Sequence, residues 1–120
     1  MKIALLGYGR MGQEIESVAL AGGHEIVVRT DISSRELFNS LTASACDVAM
    51  EFTGPEAAAD TILSALSYGV PVVSGSTGWL SRYDEVVRYC LEHGGAFIHS
   101  SNYSIGVNVL FRLNSELARI

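Results

Sequence analysis

The sequence predicts an α/β protein: a doubly wound parallel sheet with strands in the order 2-1-3-4-5 and helices on both faces. Three observations carry this. Short apolar runs alternate with helical patterns along the whole chain, joined by brief connections. The first run, Ile3 to Leu6, is apolar without alternation, as in a parallel strand covered on both sides. That run ends in Gly7-Tyr8-Gly9-Arg10-Met11-Gly12, a glycine turn that opens straight into a helical pattern. Right-handed crossovers prune the topologies, and the crevice between strands 1 and 3 becomes the switch point.

The first helix is expected over Arg10 to Ala21, with Met11, Ile15, Val18 and Ala19 as its apolar stripe and Gly22-Gly23 as its stop. Glu25 to Thr30 reads as the second strand, and a weak helix follows over Ser34 to Leu41. Asp47 to Phe52 is the third strand. Pro55 suits the first turn of a helix that continues through Glu56 to Tyr68 and stops at Gly69. Val70 to Ser74 is the fourth strand. The fourth helix starts near Ser81, with Asp84 as a capping partner, and runs to His93. Ala96 to His99 is the fifth strand. A polar loop, Ser100 to Gly106, leads to a last helix over Val107 to Arg119.

The glycine turn has a chemical reading. Gly7 permits the tight turn off the strand, and Gly9 lets a pyrophosphate approach the backbone. Gly12 lets the helix pack close to the sheet. The helix N-terminus offers unpaired N–H groups and partial positive charge, to which Arg10 adds a full one. Asp31 stands nineteen residues past Gly12, where a Rossmann-like fold puts the carboxylate that holds the adenosine ribose. Its competing role is to cap the next short helix near Ser33 or Ser34. Arg29 and Arg35 lie close enough to accept a 2′-phosphate, so NAD and NADP both remain open. Three loops converge beside the glycine turn at the carboxyl ends of the strands: Phe52-Thr53-Gly54, Gly75-Ser76-Thr77-Gly78 and Ser101-Asn102-Tyr103. The second has a plainer reading as a turn, and the third as a cap of the last helix.

Composition narrows the classes. The chain has 120 residues, 48% of them hydrophobic and 18% charged, so one globular domain with a real core is expected over 1–120. A net charge of −5 with no basic run argues against a nucleic-acid surface, so an anionic cofactor must be met locally. No apolar run approaches the ~20 residues of a membrane span, and the opening residues form a strand rather than a leader. Cys46 and Cys90 lack metal spacing and read as buried thiols of a reducing, cytoplasmic setting. His24, His93 and His99 are scattered, and no metal site is expected.

Taken together, Gly9-Arg10-Met11-Gly12, Glu51-Phe52-Thr53-x-Pro55-Glu56, Gly75-Ser76-Thr77-Gly78 and Ser101-Asn102-Tyr103-Ser104-Ile105-Gly106-Val107-Asn108 resemble the N-terminal domain of the 4-hydroxy-tetrahydrodipicolinate (dihydrodipicolinate) reductases of diaminopimelate and lysine biosynthesis. The resemblance covers essentially the whole chain, and the run around Asn102 is its most specific part. It implies an oxidoreductase using NADPH or NADH to reduce a cyclic unsaturated dicarboxylate, homotetrameric at full length. It implies that Gly7, Tyr8, Gly9, Arg10, Met11 and Gly12 hold the pyrophosphate and that Asp31 matches the ribose ligand. Phe52 and Thr53, the Gly75-Ser76-Thr77 stretch, and Ser100, Ser101, Asn102 and Tyr103 complete the cofactor site, the last two groups around the nicotinamide.

The sequence departs from the family pattern in three small ways. The first turn is a plain G-x-G-x-x-G, Glu51 stands where Asp is usual, and Ser76 replaces a threonine. None removes a donor the site needs. The larger departure is that the family's catalytic half, with its His-His-x-x-Lys motif, is expected beyond Ile120. No catalytic residue is therefore assigned here, and the chain alone is expected to bind dinucleotide without turnover. Apolar Val107, Leu110, Phe111, Leu113 and Leu117 on the last helix are expected to meet that other half or to drive self-association. Two other readings share the fold: a non-catalytic nucleotide- or CoA-sensing domain, and the cofactor half of another two-domain dehydrogenase.

Overall fold

The computed structural model describes residues 1–31 and 34–120. Five parallel strands form one sheet: β1 (Lys2–Leu6), β2 (Glu25–Thr30), β3 (Val48–Glu51), β4 (Val72–Ser74) and β5 (Phe97–His99). Their order is β2-β1-β3-β4-β5, as the alternating pattern predicts, with the reversal of winding between β1 and β3. Among the described residues, five α-helices connect and follow them: α1 (Arg10–Ala21), α2 (Ser40–Ser44), α3 (Ala58–Ser67), α4 (Tyr83–Glu92) and α5 (Ile105–Leu117).

Alternate residues of β1 feed two cores. Ala4 and Leu6 join the larger one with Val28, Ala49, Ile62, Leu66, Val72, Trp79 and Val86, beneath α3 and α4. Ile3 and Leu5 join the smaller one with Ala19, Ile26 and Val48, beneath α1. No described helix is long and apolar enough to cross a membrane.

The structure corrects three local expectations. The stripe of α1 is Gly12, Ile15 and Ala19, while Met11 and Val18 face solvent at 53% and 72% exposure. Gly12 has to lie against the strand for the helix to approach it, and this rotates its neighbour Met11 outward. The stretch over Ser34 to Leu41 is not one helix. A single 3-10 turn covers Arg35–Leu37, and α2 begins only after Asn39, whose side chain accepts from the Leu41 and Thr42 amides at 3.0 and 3.3 Å. Thr42 Oγ1 accepts from the Asn39 amide at 2.8 Å, which closes a capping box that the apolar pattern hides. Ser81 caps nothing: it sits inside a 3-10 turn, Leu80–Arg82, and α4 starts at Tyr83 with no side-chain cap. Ser33 and the side chain of Arg35 lie outside the described residues.

Candidate dinucleotide site

All five strands point the same way, so their following loops share one edge. The ladder continues one residue past the strands: Gly7 N donates to Thr30 O (2.8 Å), Phe52 N to Leu6 O (2.8 Å), Gly75 N to Glu51 O (2.9 Å) and Ser100 N to Ser74 O (3.2 Å). The loops after β1, β3, β4 and β5 therefore leave side by side, at the crevice where ligands bind in open α/β sheets.

The glycine turn divides its tasks between the three glycines. Gly7 has φ +102°, and a Cβ there would lie 2.3 Å from Phe52 O. A Cβ on Gly12 would lie 2.4 Å from Gly7 O. Both must be glycine for the turn to fold against β3. Gly9 differs: nothing lies within 4 Å of its Cβ position, so this backbone faces open space. Gly9 is also the N-cap of α1, in extended conformation and with no side-chain cap, so the first-turn amides have no side-chain partner. Arg10 and Met11 are exposed beside them. Tyr8 is half-buried against the smaller core, and its hydroxyl donates to Glu16, so its backbone rather than its ring lines the opening. Glu16 in turn accepts from Arg29 Nε at 2.7 Å. The Arg29 bond, and after it the Tyr8 bond, hold the Glu16 carboxyl below its usual range.

The loops after β3 and β4 are tied together by a residue that the motif reading treats only as a variant. Glu51 is fully buried at the end of β3. Its Oε1 accepts from Thr53 N (2.8 Å), Thr53 Oγ1 (2.5 Å) and Ser76 Oγ (2.6 Å), and its Oε2 from Ser74 Oγ (2.6 Å). Ser76 Oγ also accepts from Gly54 N at 3.0 Å. Four donors on one carboxylate satisfy a charge that would otherwise be costly to bury. Through these bonds the carboxylate ties the loop after β3 to the end of β4 and the loop after it.

Ser76 is buried and Thr77 exposed, so the Gly75-Ser76-Thr77 stretch turns one hydroxyl inward and the other toward solvent. Ser76 O accepts from Trp79 Nε1 at 3.0 Å and lies 3.0 Å from His99 Nε2, while Trp79 and His99 meet edge-on at 5.1 Å. His99 and the buried Trp79 thus hold the loop after β4 from beneath, although nothing in their sequence spacing singles them out.

The loop after β5 is built from its own side chains. Asn102 Oδ1 accepts from Ser104 N (2.8 Å), and Ser104 Oγ accepts from Val107 N (3.3 Å), capping α5. Asn108 Nδ2 donates back to Asn102 O and Ser104 O, both at 2.8 Å. Ser100 Oγ donates to Asn102 O at 2.8 Å, while Ser101 is exposed. Tyr103 OH donates to Ser74 O at 2.8 Å and joins this loop to β4. Burial raises its phenol pKa, and the Glu51 charge raises it further.

Asp31 directly follows β2, on the other side of β1 from the loops after β3 and β4. Its Oδ1 accepts from Ser34 N and Ser34 Oγ, each at 2.9 Å, and Ser34 Oγ accepts from Asp31 N at 2.8 Å. These partners are those of a capping residue. Nearby, a cavity of about 210 Å³ is lined by Leu6, Thr30, Glu36, Phe38, Thr53, Asp60, Thr61 and Ser64. Among the described residues, no group of three or more His, Cys, Asp or Glu side chains gathers as metal ligands. Cys46 and Cys90 are free, the first half-buried and the second buried.

The family described as dihydrodipicolinate reductase, N-terminus, matches residues 1–103. The 4-hydroxy-tetrahydrodipicolinate reductase of Christiangramia forsetii is 45% identical over 118 residues, 98% of this chain and 48% of that protein. The enzyme of the same name from Bdellovibrio bacteriovorus is 38% identical over 92% of this chain and 48% of its own length. The chain therefore spans about half the length of the curated relatives it matches. In fold it is similar to an NAD-binding protein from Listeria innocua, with a TM-score of 0.66 at 19% identity over 84% of this chain and 34% of that one. By these matches the chain belongs to the dihydrodipicolinate reductase family, whose N-terminal region matches residues 1–103.

Proposed function

We propose that this chain is the cofactor-binding domain of a cytoplasmic 4-hydroxy-tetrahydrodipicolinate reductase and that it seats NADPH or NADH along the carboxyl edge of the sheet. The pyrophosphate lies over Gly9 and the first turn of α1, near Arg10. Asp31 takes the adenosine ribose hydroxyls, with the cavity beside Thr30 and Thr53 next to them. The loops at Phe52-Thr53, Gly75-Ser76-Thr77 and Ser100–Tyr103 close around the nicotinamide. The cofactor supplies a hydride; this chain binds, orients and shields it. Reduction of the cyclic dicarboxylate belongs to a protein of the relatives' full length, and the 120-residue chain alone binds without turnover. The full-length protein is a homo-oligomer.

The observation that carries this reading is the open backbone at Gly9 between two glycines that have no room for a side chain. The test is calorimetric titration of wild type and Gly9→Ala with both dinucleotides. A methyl at Gly9 meets no protein atom, so the variant keeps its melting temperature. It places that methyl against the phosphates, so affinity falls by roughly tenfold or more, about 1.4 kcal/mol. Wild type that releases no heat with either dinucleotide, or Gly9→Ala that binds as well as wild type, would contradict the reading. Binding of CoA in place of dinucleotide would point to a sensing domain.

A further inference from the structure

We propose that Glu16 sets which nicotinamide dinucleotide the domain takes: by engaging Arg29 it withholds that cation from the ribose end of the site and favours the cofactor without a 2′-phosphate. This rests on the dinucleotide reading above. Arg29 is the penultimate residue of β2, two positions before Asp31, and so stands at the strand's carboxyl end beside the proposed ribose ligand. A guanidinium at that place is the natural receptor of a phosphate on the ribose. Here it is already in use.

Arg29 Nε donates to Glu16 Oε1 at 2.7 Å, and Nη2 donates to the same oxygen. Glu16 Oε2 accepts from the Tyr8 hydroxyl, so both carboxylate oxygens are occupied. The guanidinium carbon also lies 5.9 Å from the centre of the Tyr8 ring. The three residues come from three elements: the glycine turn, α1 and β2. Glu16 is only 15% exposed and Arg29 41%. The less exposed partner, Glu16, is fixed on a helix facing the strand. A 2′-phosphate brought to Arg29 meets the Glu16 carboxylate and a cation already turned toward it. A free 2′-hydroxyl meets no such penalty.

The experiment uses the 120-residue protein in three forms. NADH and NADPH are titrated against wild type, Glu16→Gln and the double variant Glu16→Gln/Arg29→Gln, with 5′-AMP and adenosine 2′,5′-bisphosphate as minimal probes of the same difference. Wild type binds NADH at least as tightly as NADPH. Glu16→Gln removes the competing charge, frees Arg29 and raises the NADPH-to-NADH affinity ratio about tenfold, the worth of one charge-assisted contact, with little change for NADH. Adding Arg29→Gln cancels the gain. Wild type that prefers NADPH, or Glu16→Gln that binds both dinucleotides with an unchanged ratio, overturns the inference while leaving dinucleotide binding intact. Wild type that binds neither dinucleotide overturns the underlying reading as well. Should Glu16→Gln fail to fold, the wild-type ratio alone still decides.

Discussion

Helix α3 and helix α5 look alike in sequence and meet opposite fates. The ten residues of α3 bury Ala58, Ala59, Ile62, Ala65 and Leu66 against the sheet and α4. The thirteen residues of α5 bury none. Ile105, Leu110, Phe111, Leu113 and Leu117 are all more than half exposed. The helix is pinned at its start by Ser104 and Asn108 and then runs free of the core. The sheet shows the same imbalance. On the face beneath α1, Met50, Val73 and Ile98 are aligned neighbours in one row, and Ile98 at the end of that row is 56% exposed. Apolar periodicity marks a surface that wants cover; it does not say what covers it.

Substitutions sharpen the contrast. The largest effects belong to the covered side. Ile62→Ala removes a fully buried side chain and costs about 2–5 kcal/mol in urea unfolding. Glu51→Ala leaves four donors without an acceptor at the loop junction and costs a comparable amount, about 3–5 kcal/mol. The paired changes Leu113→Ser and Leu117→Ser on α5 stay within about 0.5 kcal/mol of wild type, as surface changes do. The same pair weakens self-association seen by sedimentation, which we expect the bare face of α5 to drive in the 120-residue chain. A loss above 2 kcal/mol from the α5 pair would show that this helix packs on its own domain.

A smaller effect separates two ion pairs from the rest of the surface by pH. Glu16 and Glu85 are each held below the ordinary value of 4.5, Glu16 first by its bond from Arg29 and Glu85 first by its bond from Arg82. A lowered carboxyl adds stability that is present above the unfolded value and lost as pH falls through the folded one. Thermal unfolding is thus expected to ease progressively below pH ~4.5, and Glu16→Gln with Glu85→Gln to flatten that slope. An unchanged slope in the double variant would remove these pairs from the acid response.

The alternation of strands and helices was legible because each strand is a short apolar run bounded by glycine or polar residues. The sheet order followed from the connection rules. The glycine turn was legible because each of its three positions has a separate steric reason. What stayed hidden was long-range. Glu51 reads as a charge at the end of a strand, yet its role depends on Ser74 standing opposite it in β4 and on Ser76 two residues further. Glu16 reads as one polar position on a helix face, and only the packing of α1 beside β2 brings it to Arg29. The capping box at Asn39 and Thr42 was present in the residues, but the helix expected over Ser34 to Leu41 ran across it. Asp31 shows the reverse case: its position suggests a ribose ligand, while its present bonds to Ser34 are those of a cap.

The most direct test of the central claim is an amide-resolved NMR titration of the 120-residue protein with NADH. The account predicts that the shifted amides are those of the carboxyl edge: Gly9 to Gly12, Thr53 and Gly54, Gly75 to Thr77, and Ser100 to Tyr103. Shifts confined to the opposite edge, around Lys2, Glu25 and Asp47, or no shifts at millimolar ligand, would contradict it.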